Sequence, residues 1–122
     1  MTLGSHQKTI GDSQDWITPQ HILRALGPFD LDPAAADPRP WDCAKVNWTE
    51  KDAGFIRDWT GRIFLNPPFD RRQVGKWVAK LAVHGDGILL IHARTEAGWF
   101  EPIWARADAI LFLADPPTLS PS

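Results

Sequence analysis

The tetrapeptide Asn66-Pro67-Pro68-Phe69 combines residue types that suit a planar molecule carrying an amino group. The side-chain oxygen of Asn66 accepts hydrogen bonds, the carbonyl of Pro67 has no regular ladder to join, and the ring of Phe69 offers a stacking face. An exocyclic amine whose two hydrogens are both accepted regains electron density on nitrogen, which activates it without a strong base. The motif therefore predicts chemistry on a planar amine, with a simple proline turn after a strand as the alternative.

A second candidate site is the segment Asp32-Pro33-Ala34-Ala35, where a carboxylate stands beside small residues. Such a carboxylate can bind an amino group or hydroxyls while the small neighbours let a nucleotide-like ligand approach closely. Because Asp-Pro is also a common turn, the segment alone is a weak signal. Its pairing with the Asn-Pro-Pro-Phe motif makes a two-part ligand site the stronger interpretation.

The elements that must position these motifs are predicted to alternate between strands and helices. An alternation of apolar and acidic residues predicts a strand at residues 29–32, and short apolar runs predict three more strands, at 62–66, 88–91 and 109–114, of which 88–91 is expected to be buried on both faces. Helical spacing of apolar residues predicts three helices, at residues 19–26, 73–84 and 99–106, the first with Thr18 as its N-cap and Pro19 as its first residue. The alternation indicates an α/β fold with a mostly parallel sheet, whose strand ends are the usual ligand sites. Residues 37–59 are predicted to form a loop with little regular structure.

Four motifs follow one another in a defined order along residues 15–114. They are Asp15-Trp16-Ile17-Thr18-Pro19, Phe29-Asp30-Leu31-Asp32-Pro33-Ala34-Ala35, Trp59-Thr60-Gly61-Arg62-Ile63-Phe64-Leu65-Asn66-Pro67-Pro68-Phe69, and Ala93-Arg94-Thr95-Glu96 with Trp99-Phe100. This order resembles the phage-type DNA N6-adenine methyltransferase (Dam) family. The resemblance implies a class I S-adenosylmethionine-dependent methyltransferase fold, a Rossmann-like αβα sandwich. It also implies S-adenosylmethionine as methyl donor and the N6 amine of adenine in DNA as acceptor.

Site residues follow from this resemblance position by position. Asn66, Pro67, Pro68 and Phe69 match the catalytic motif, and Asp32, Pro33 and Ala34 match a degenerate donor-binding motif. Thr18 and Pro19 match the opening Thr-Pro of the family, which is expected to line the donor pocket. The occurrence of the family in phages implies a role in host defence or in protection of phage DNA.

The charge distribution bears on DNA as a partner. A formal net charge of −2 does not indicate a protein that holds nucleic acid by bulk electrostatics. Basic residues are nevertheless concentrated around the Asn-Pro-Pro-Phe motif, and we predict DNA contacts by Arg71, Arg72, Arg94 and Thr95. A solvated, salt-bridged helix face is the alternative.

Other classes of protein find little support in the sequence. No apolar stretch is long enough to cross a bilayer and the first residues lack signal-peptide character, so we expect a cytoplasmic protein of a bacterium or phage-infected cell. The single Cys43 cannot form an internal disulfide and, like the histidines, lacks metal-ligand spacing, so no metal is expected. The oligomeric state is not predicted.

The ends of the chain are expected to lie outside the functional domain. Residues 1–14 are predicted to be a flexible leader, residues 15–114 the methyltransferase domain, and residues 115–122 an irregular tail. The family usually continues beyond the last predicted strand, so the domain is expected to be shortened at its C-terminus. This leaves two alternatives to an active DNA methyltransferase: an inactive remnant that binds donor or DNA without turnover, and a methyltransferase acting on RNA or a protein amide.

Overall fold

The computed structural model describes residues 18–114, and the predicted leader 1–14 and tail 115–122 lie outside these residues. The elements in chain order are α1 (Gln20–Leu26), β1 (Leu31–Asp32), β2 (Val46–Asn47), β3 (Ile63–Leu65), α2 (Val74–His84), β4 (Gly87–Leu89) and α3 (Glu101–Arg106). Three short 3-10 turns accompany them, at Glu50–Asp52, Gly54–Ile56 and Gly98–Phe100. Helix α1 begins one residue later than predicted, because Pro19 is its N-cap.

The four strands form one parallel sheet in the order β2-β1-β3-β4. Leu31 of β1 pairs with both Val46 of β2 and Ile63 of β3. The chain leaves β1 toward one edge of the sheet, crosses back to β3, and leaves β3 toward the other edge. The strand order therefore reverses between β1 and β3, and crevices at such reversals are where open α/β sheets bind ligands.

Successive side chains of β3 point to opposite faces of the sheet, and a helix covers each face. Ile63 and Leu65 pack with Trp77 of α2, whereas Phe64 packs on the opposite face with Leu23 of α1. These strand residues are 0 to 1% exposed, so truncating Phe64 to alanine should destabilise the protein by about 3–5 kcal/mol. The observed layers confirm the predicted α/β fold.

Helix α2 ends as its sequence predicts. Gly85 adopts a φ of 84°, in the left-handed region that favours glycine, and its N–H donates to the carbonyl of Leu81 at 2.9 Å. The chain then turns directly into β4. The strand beginning at Gly87 is thus set against β3, whose Leu65 carbonyl also accepts the N–H of Leu90 at 2.9 Å.

Three strand predictions are wrong. Residues 109–114 form no regular element, and Leu111 is 81% exposed, because apolar β-branched and aromatic composition does not itself provide a pairing partner. Conversely, β2 lies inside the predicted loop 37–59, where the N–H of Val46 donates to Asp30 and that of Trp48 donates to Asp32. Strand β4 is only partly buried rather than covered on both faces, since it stands at an edge of the sheet.

Within residues 18–114, no helix is long and apolar enough to cross a membrane.

Candidate functional site

The carboxylate of Asp32 stands at the carboxyl end of β1 and is 3% exposed. Its Oδ1 accepts the N–H of Ala34 at 3.1 Å, and the thiol of Cys43 also hydrogen-bonds the carboxylate. The N–H of Ala35 donates to Trp48 at 2.8 Å, so the small-residue segment continues beside β2. The tight turn after Pro33 thus fixes a buried acid with little side-chain bulk around it.

Burial dominates the protonation of this acid. It raises the pKa of Asp32 to about 6, although the Ala34 N–H, the Cys43 thiol and the charge of Arg39 act in the opposite direction. Burial and the neighbouring Asp32 carboxylate raise the pKa of the Cys43 thiol to about 12, so this cysteine remains a thiol at neutral pH. A buried carboxylate of this kind gains most from a ligand that brings a positive charge or hydrogen-bond donors.

The Asn-Pro-Pro-Phe motif forms a rigid connection from β3 to α2. Two prolines follow Asn66, and the carbonyl of Pro68 accepts the N–H of Asp70 at 3.0 Å. The Asp70 carbonyl in turn accepts the N–H groups of Gln73 and Val74 at 2.9 and 2.8 Å, which leads directly into the helix. The position of Asn66 is therefore defined by the strand before it and the helix after it.

The ring of Phe69 packs against the loop that follows β4. His92 meets it edge to face, with ring centroids 4.6 Å apart, and the Arg94 guanidinium lies 5.9 Å from its centroid. Burial and the charge of Arg94 lower the pKa of His92. A neutral histidine thus supports one side of the aromatic ring.

A cavity of about 510 Å³ opens at the carboxyl ends of β1 and β3. It brings together six of the predicted site residues, namely Thr18, Asp32, Pro33, Ala34, Asn66 and Pro68. The other predicted residues are outside its lining, namely Pro19, Pro67, Phe69, Arg71, Arg72, Arg94 and Thr95. Pro19 and Pro67 are buried, whereas the three arginines and Thr95 are exposed.

Several lining residues were not predicted from the sequence. They include Arg39, Trp41, Cys43, Glu50 and Phe55. Trp41 has a clear structural role, since its Nε1 donates to the carbonyl of Thr18 at 2.9 Å and holds the start of the described chain against the cavity. The only available sequence signal was the length of the loop that carries them, because long loops in compact domains are often functional.

One wall of the cavity is formed by residues 53–56, and the turn 53–57 that contains them is here called the wall turn. Gly54 packs so closely on Asp-Pro that a Cβ there would lie 2.1 Å from the carbonyl oxygen of Pro33. The Nε1 of Trp59 donates to the Gly54 carbonyl at 2.8 Å. Lys80 of α2 donates from Nζ to the carbonyls of Phe55 and Arg57 at 2.5 and 2.6 Å. The wall turn is therefore attached both to Pro33, next to Asp32, and to helix α2, which follows the Asn-Pro-Pro-Phe motif.

Among residues 18–114, no three His, Cys, Asp or Glu side chains are grouped so that they could hold a metal ion. The fold and the site define an α/β protein with a cavity at the strand-order reversal of its parallel sheet, the place where open sheets of this kind bind ligands.

The family comparison agrees with the motifs. The sequence model of the family described as DNA N-6-adenine-methyltransferase (Dam) matches residues 5–116. The chain therefore belongs to the Dam family, which confirms the resemblance identified from its motifs. No curated protein and no solved structure matches the chain.

Proposed function

We propose that the protein transfers a methyl group from S-adenosylmethionine to the N6 amine of an adenine in DNA. The observation that carries this proposal is the shared cavity of Asp32 and Asn66, which end two neighbouring strands on either side of the strand-order reversal. Family membership supports the reaction type. We assign the domain to the class I methyltransferase fold on the basis of its parallel strand order and assign residues 15–114 to the catalytic domain.

The residues around Asp32 fit the methyl donor. The cavity volume of about 510 Å³ lies within the roughly 300–1,000 Å³ typical of small-molecule sites. The buried Asp32 carboxylate would accept hydrogen bonds from the amino group or hydroxyls of the donor, and Ala34 leaves room for close approach. Thr18, Pro19 and Pro33 would complete this side of the site. When bound, S-adenosylmethionine supplies a methyl group carried by a sulfonium sulfur.

The Asn-Pro-Pro-Phe motif is assigned to the acceptor. The side-chain oxygen of Asn66 and the carbonyl of Pro67 would accept the two hydrogens of the adenine amine, which directs the nitrogen lone pair toward the methyl group. Phe69 does not line the cavity, and we assign its ring to stacking on the target base. Because a paired base cannot reach the site, the adenine must leave the duplex at a cost of about a few kcal/mol. Catalysis then rests largely on alignment of amine, methyl group and sulfur.

Contacts to the DNA backbone are assigned to exposed side chains near this motif. Arg71 and Arg72 follow Phe69 after one intervening residue, Asp70, and Arg94 lies beside its ring. Arg94 also forms a 3.9 Å ion pair with Glu96, both well exposed, and such pairs contribute little to stability. It can therefore exchange this partner for a phosphate, with Thr95 as a neighbouring donor.

Transfer of tritium from labelled S-adenosylmethionine to duplex DNA tests the proposal. Wild-type protein should label adenine-containing DNA and should not label the same duplex with hypoxanthine in place of adenine, because hypoxanthine lacks the amine. Asn66→Ala should reduce labelling by roughly 100-fold or more, the scale for losing one preorganised polar group in an active site. Binding of S-adenosylhomocysteine to the variant, measured by calorimetry, shows that the donor side remains folded.

Equal labelling by wild type and Asn66→Ala would refute the catalytic assignment. The same labelling assay with RNA and with a glutamine-containing peptide tests the substrate. Labelling of either one in preference to DNA would refute the assignment of DNA as the substrate.

A further inference from the structure

Hydrogen bonds from two of its three nitrogens hold the guanidinium of Arg39 on the cavity wall. Its Nε donates to Asp42 at 2.8 Å and its Nη1 donates to the carbonyl of Ala36 at 3.2 Å. Within residues 18–114, Nη2 makes no hydrogen bond or ion pair. The Arg39 side chain is only 24% exposed, so its charge is less screened than that of a surface arginine.

Arg39 and Asp32 carry opposite charges and line the same cavity, but they do not form an ion pair with each other. Both residues line the cavity, and no ion pair joins them in the described part of the chain. The short segment between them consists of small and rigid residues, including Ala34 and Ala35. The cavity lining therefore contains a carboxylate and a guanidinium that do not form an ion pair with each other.

Such a pair is complementary to a zwitterion. An α-amino acid group carries an ammonium and a carboxylate on the same carbon, and it can satisfy both charges at once. A guanidinium also suits a carboxylate better than an ammonium does, because its planar donors match two oxygens.

We propose that Arg39 binds the carboxylate of the amino-acid end of the methyl donor while Asp32 binds its ammonium group. This inference rests on the proposed function, and it adds the orientation of the donor and a residue that sets its specificity. Arg39 contacts the ligand but none of the atoms that react. A purely structural role, in which Arg39 only joins Asp42 to Ala36, makes different predictions for ligands that lack a carboxylate.

Calorimetric titration of three ligands with the same nucleoside separates these roles. S-adenosylhomocysteine carries both the ammonium and the carboxylate, its decarboxylated analogue carries only the ammonium, and 5′-methylthioadenosine carries neither. Arg39→Gln should weaken the binding of S-adenosylhomocysteine by roughly 10- to 100-fold, the range expected for the loss of hydrogen bonds to a charged group. The two ligands without a carboxylate should keep their affinity within about twofold, the ordinary scatter of a change that removes no contact.

Two further variants sharpen the test. Arg39→Lys keeps the charge but not the planar donors, so the affinity for S-adenosylhomocysteine should fall between those of wild type and Arg39→Gln. Lys45→Gln is the matched control, since Lys45 is a cation on the same loop whose side chain is 78% exposed and lies outside the cavity lining. It should leave all three affinities unchanged.

An equal loss of affinity for all three ligands in Arg39→Gln would overturn the inference in favour of a structural role. Unchanged affinity for S-adenosylhomocysteine in both Arg39 variants would also overturn it. In either case the proposed function stands, because wild type still binds the donor product. Absence of binding of every ligand to wild type would instead overturn the proposed function and this inference with it.

Discussion

Replacing Asp32 with asparagine should change the stability of the protein in a way that depends on pH. Asp32 is 3% exposed, and burial raises its pKa from 3.8 to about 6. The folded protein thus holds a proton that the unfolded chain releases, so its stability falls as the pH rises from about 4 to about 6 and is level above that. An asparagine has the same shape and no charge to desolvate.

The magnitude follows from the pKa shift. Raising the pKa from 3.8 to about 6 corresponds to about 3 kcal/mol at full effect, most of which is lost between about pH 4 and pH 8. The amide group of the variant also replaces an oxygen that accepts from Cys43, at a cost of about 1 kcal/mol at every pH. Asp32→Asn should therefore be less stable than wild type near pH 4 and more stable, by about 1–2 kcal/mol, near pH 8.

Urea denaturation followed by tryptophan fluorescence measures this difference, since the chain has seven tryptophans. With a urea dependence of about 1–3 kcal/mol per molar, the midpoint difference between the proteins should shift by about 1 M or more across this pH range. Asp37→Asn, which alters an exposed carboxylate, is the control. The variant should also lose affinity for S-adenosylhomocysteine. A stability difference that is independent of pH, or a variant less stable than wild type near pH 8, would refute the reasoning.

Three further changes test the cavity walls and the ring support. Gly54→Ala should destabilise the protein by roughly 1–3 kcal/mol in thermal denaturation and weaken donor binding, because its Cβ would lie 2.1 Å from the Pro33 carbonyl oxygen. Gly98→Ala, where nothing lies within 4 Å of an added Cβ, should be neutral, and equal losses in both would contradict the packing argument. Lys80→Gln should remove about 1–3 kcal/mol of stability and lower hydrogen-exchange protection in the wall turn, and unchanged protection would show that its carbonyl contacts are not needed. Burial and a nearby guanidinium lower the pKa of His92, so wild type should lose stability as pH falls below the ordinary histidine range, and His92→Asn should lose less in melting curves. Parallel acid profiles would contradict that assignment.

Strong local signals account for the parts of the fold that the sequence predicts correctly. The apolar run ending at Pro67-Pro68 predicts residues 62–66 as a strand, and the structure has Ile63–Leu65. The apolar face of residues 73–84 predicts a helix, found at Val74–His84. In both cases the chain itself contains the stop signals and the periodicity.

Strands that depend on distant partners are harder to predict. Val46 is 48% exposed and belongs to a strand of two residues, too short to show an alternation of apolar and polar residues. Strand β2 forms because it pairs with backbone groups of β1. The opposite error at residues 109–114 has the same origin, since a suitable composition there meets no neighbouring strand within the described chain.

The candidate site divides in the same way. Asp32 and Asn66 are the last residues of two predicted strands, so the rule for strand ends predicts that they lie together, and both line the cavity. Arg39 is separated from the end of β1 by a non-helical path that returns to the cavity through hydrogen bonds to Asp42 and Ala36. No sequence period encodes such a path, which only tertiary contacts define.

The pairing of β1 with β3 also bears on how this protein can change during evolution. The segment 33–62 connects two neighbouring parallel strands and contributes the edge strand β2 on the way, and the pairing of Leu31 with Ile63 fixes where its two ends lie, whatever the length of the loops before and after β2. Insertions or deletions in the loops on either side of Val46–Asn47 can therefore reshape the cavity without altering the separation of Asp32 and Asn66. A single-residue insertion within Ile63–Leu65 would instead turn Asn66 to the other face of the sheet. Length variation among relatives should accordingly concentrate in the loops 33–45 and 48–62 and be absent from the three residues of β3.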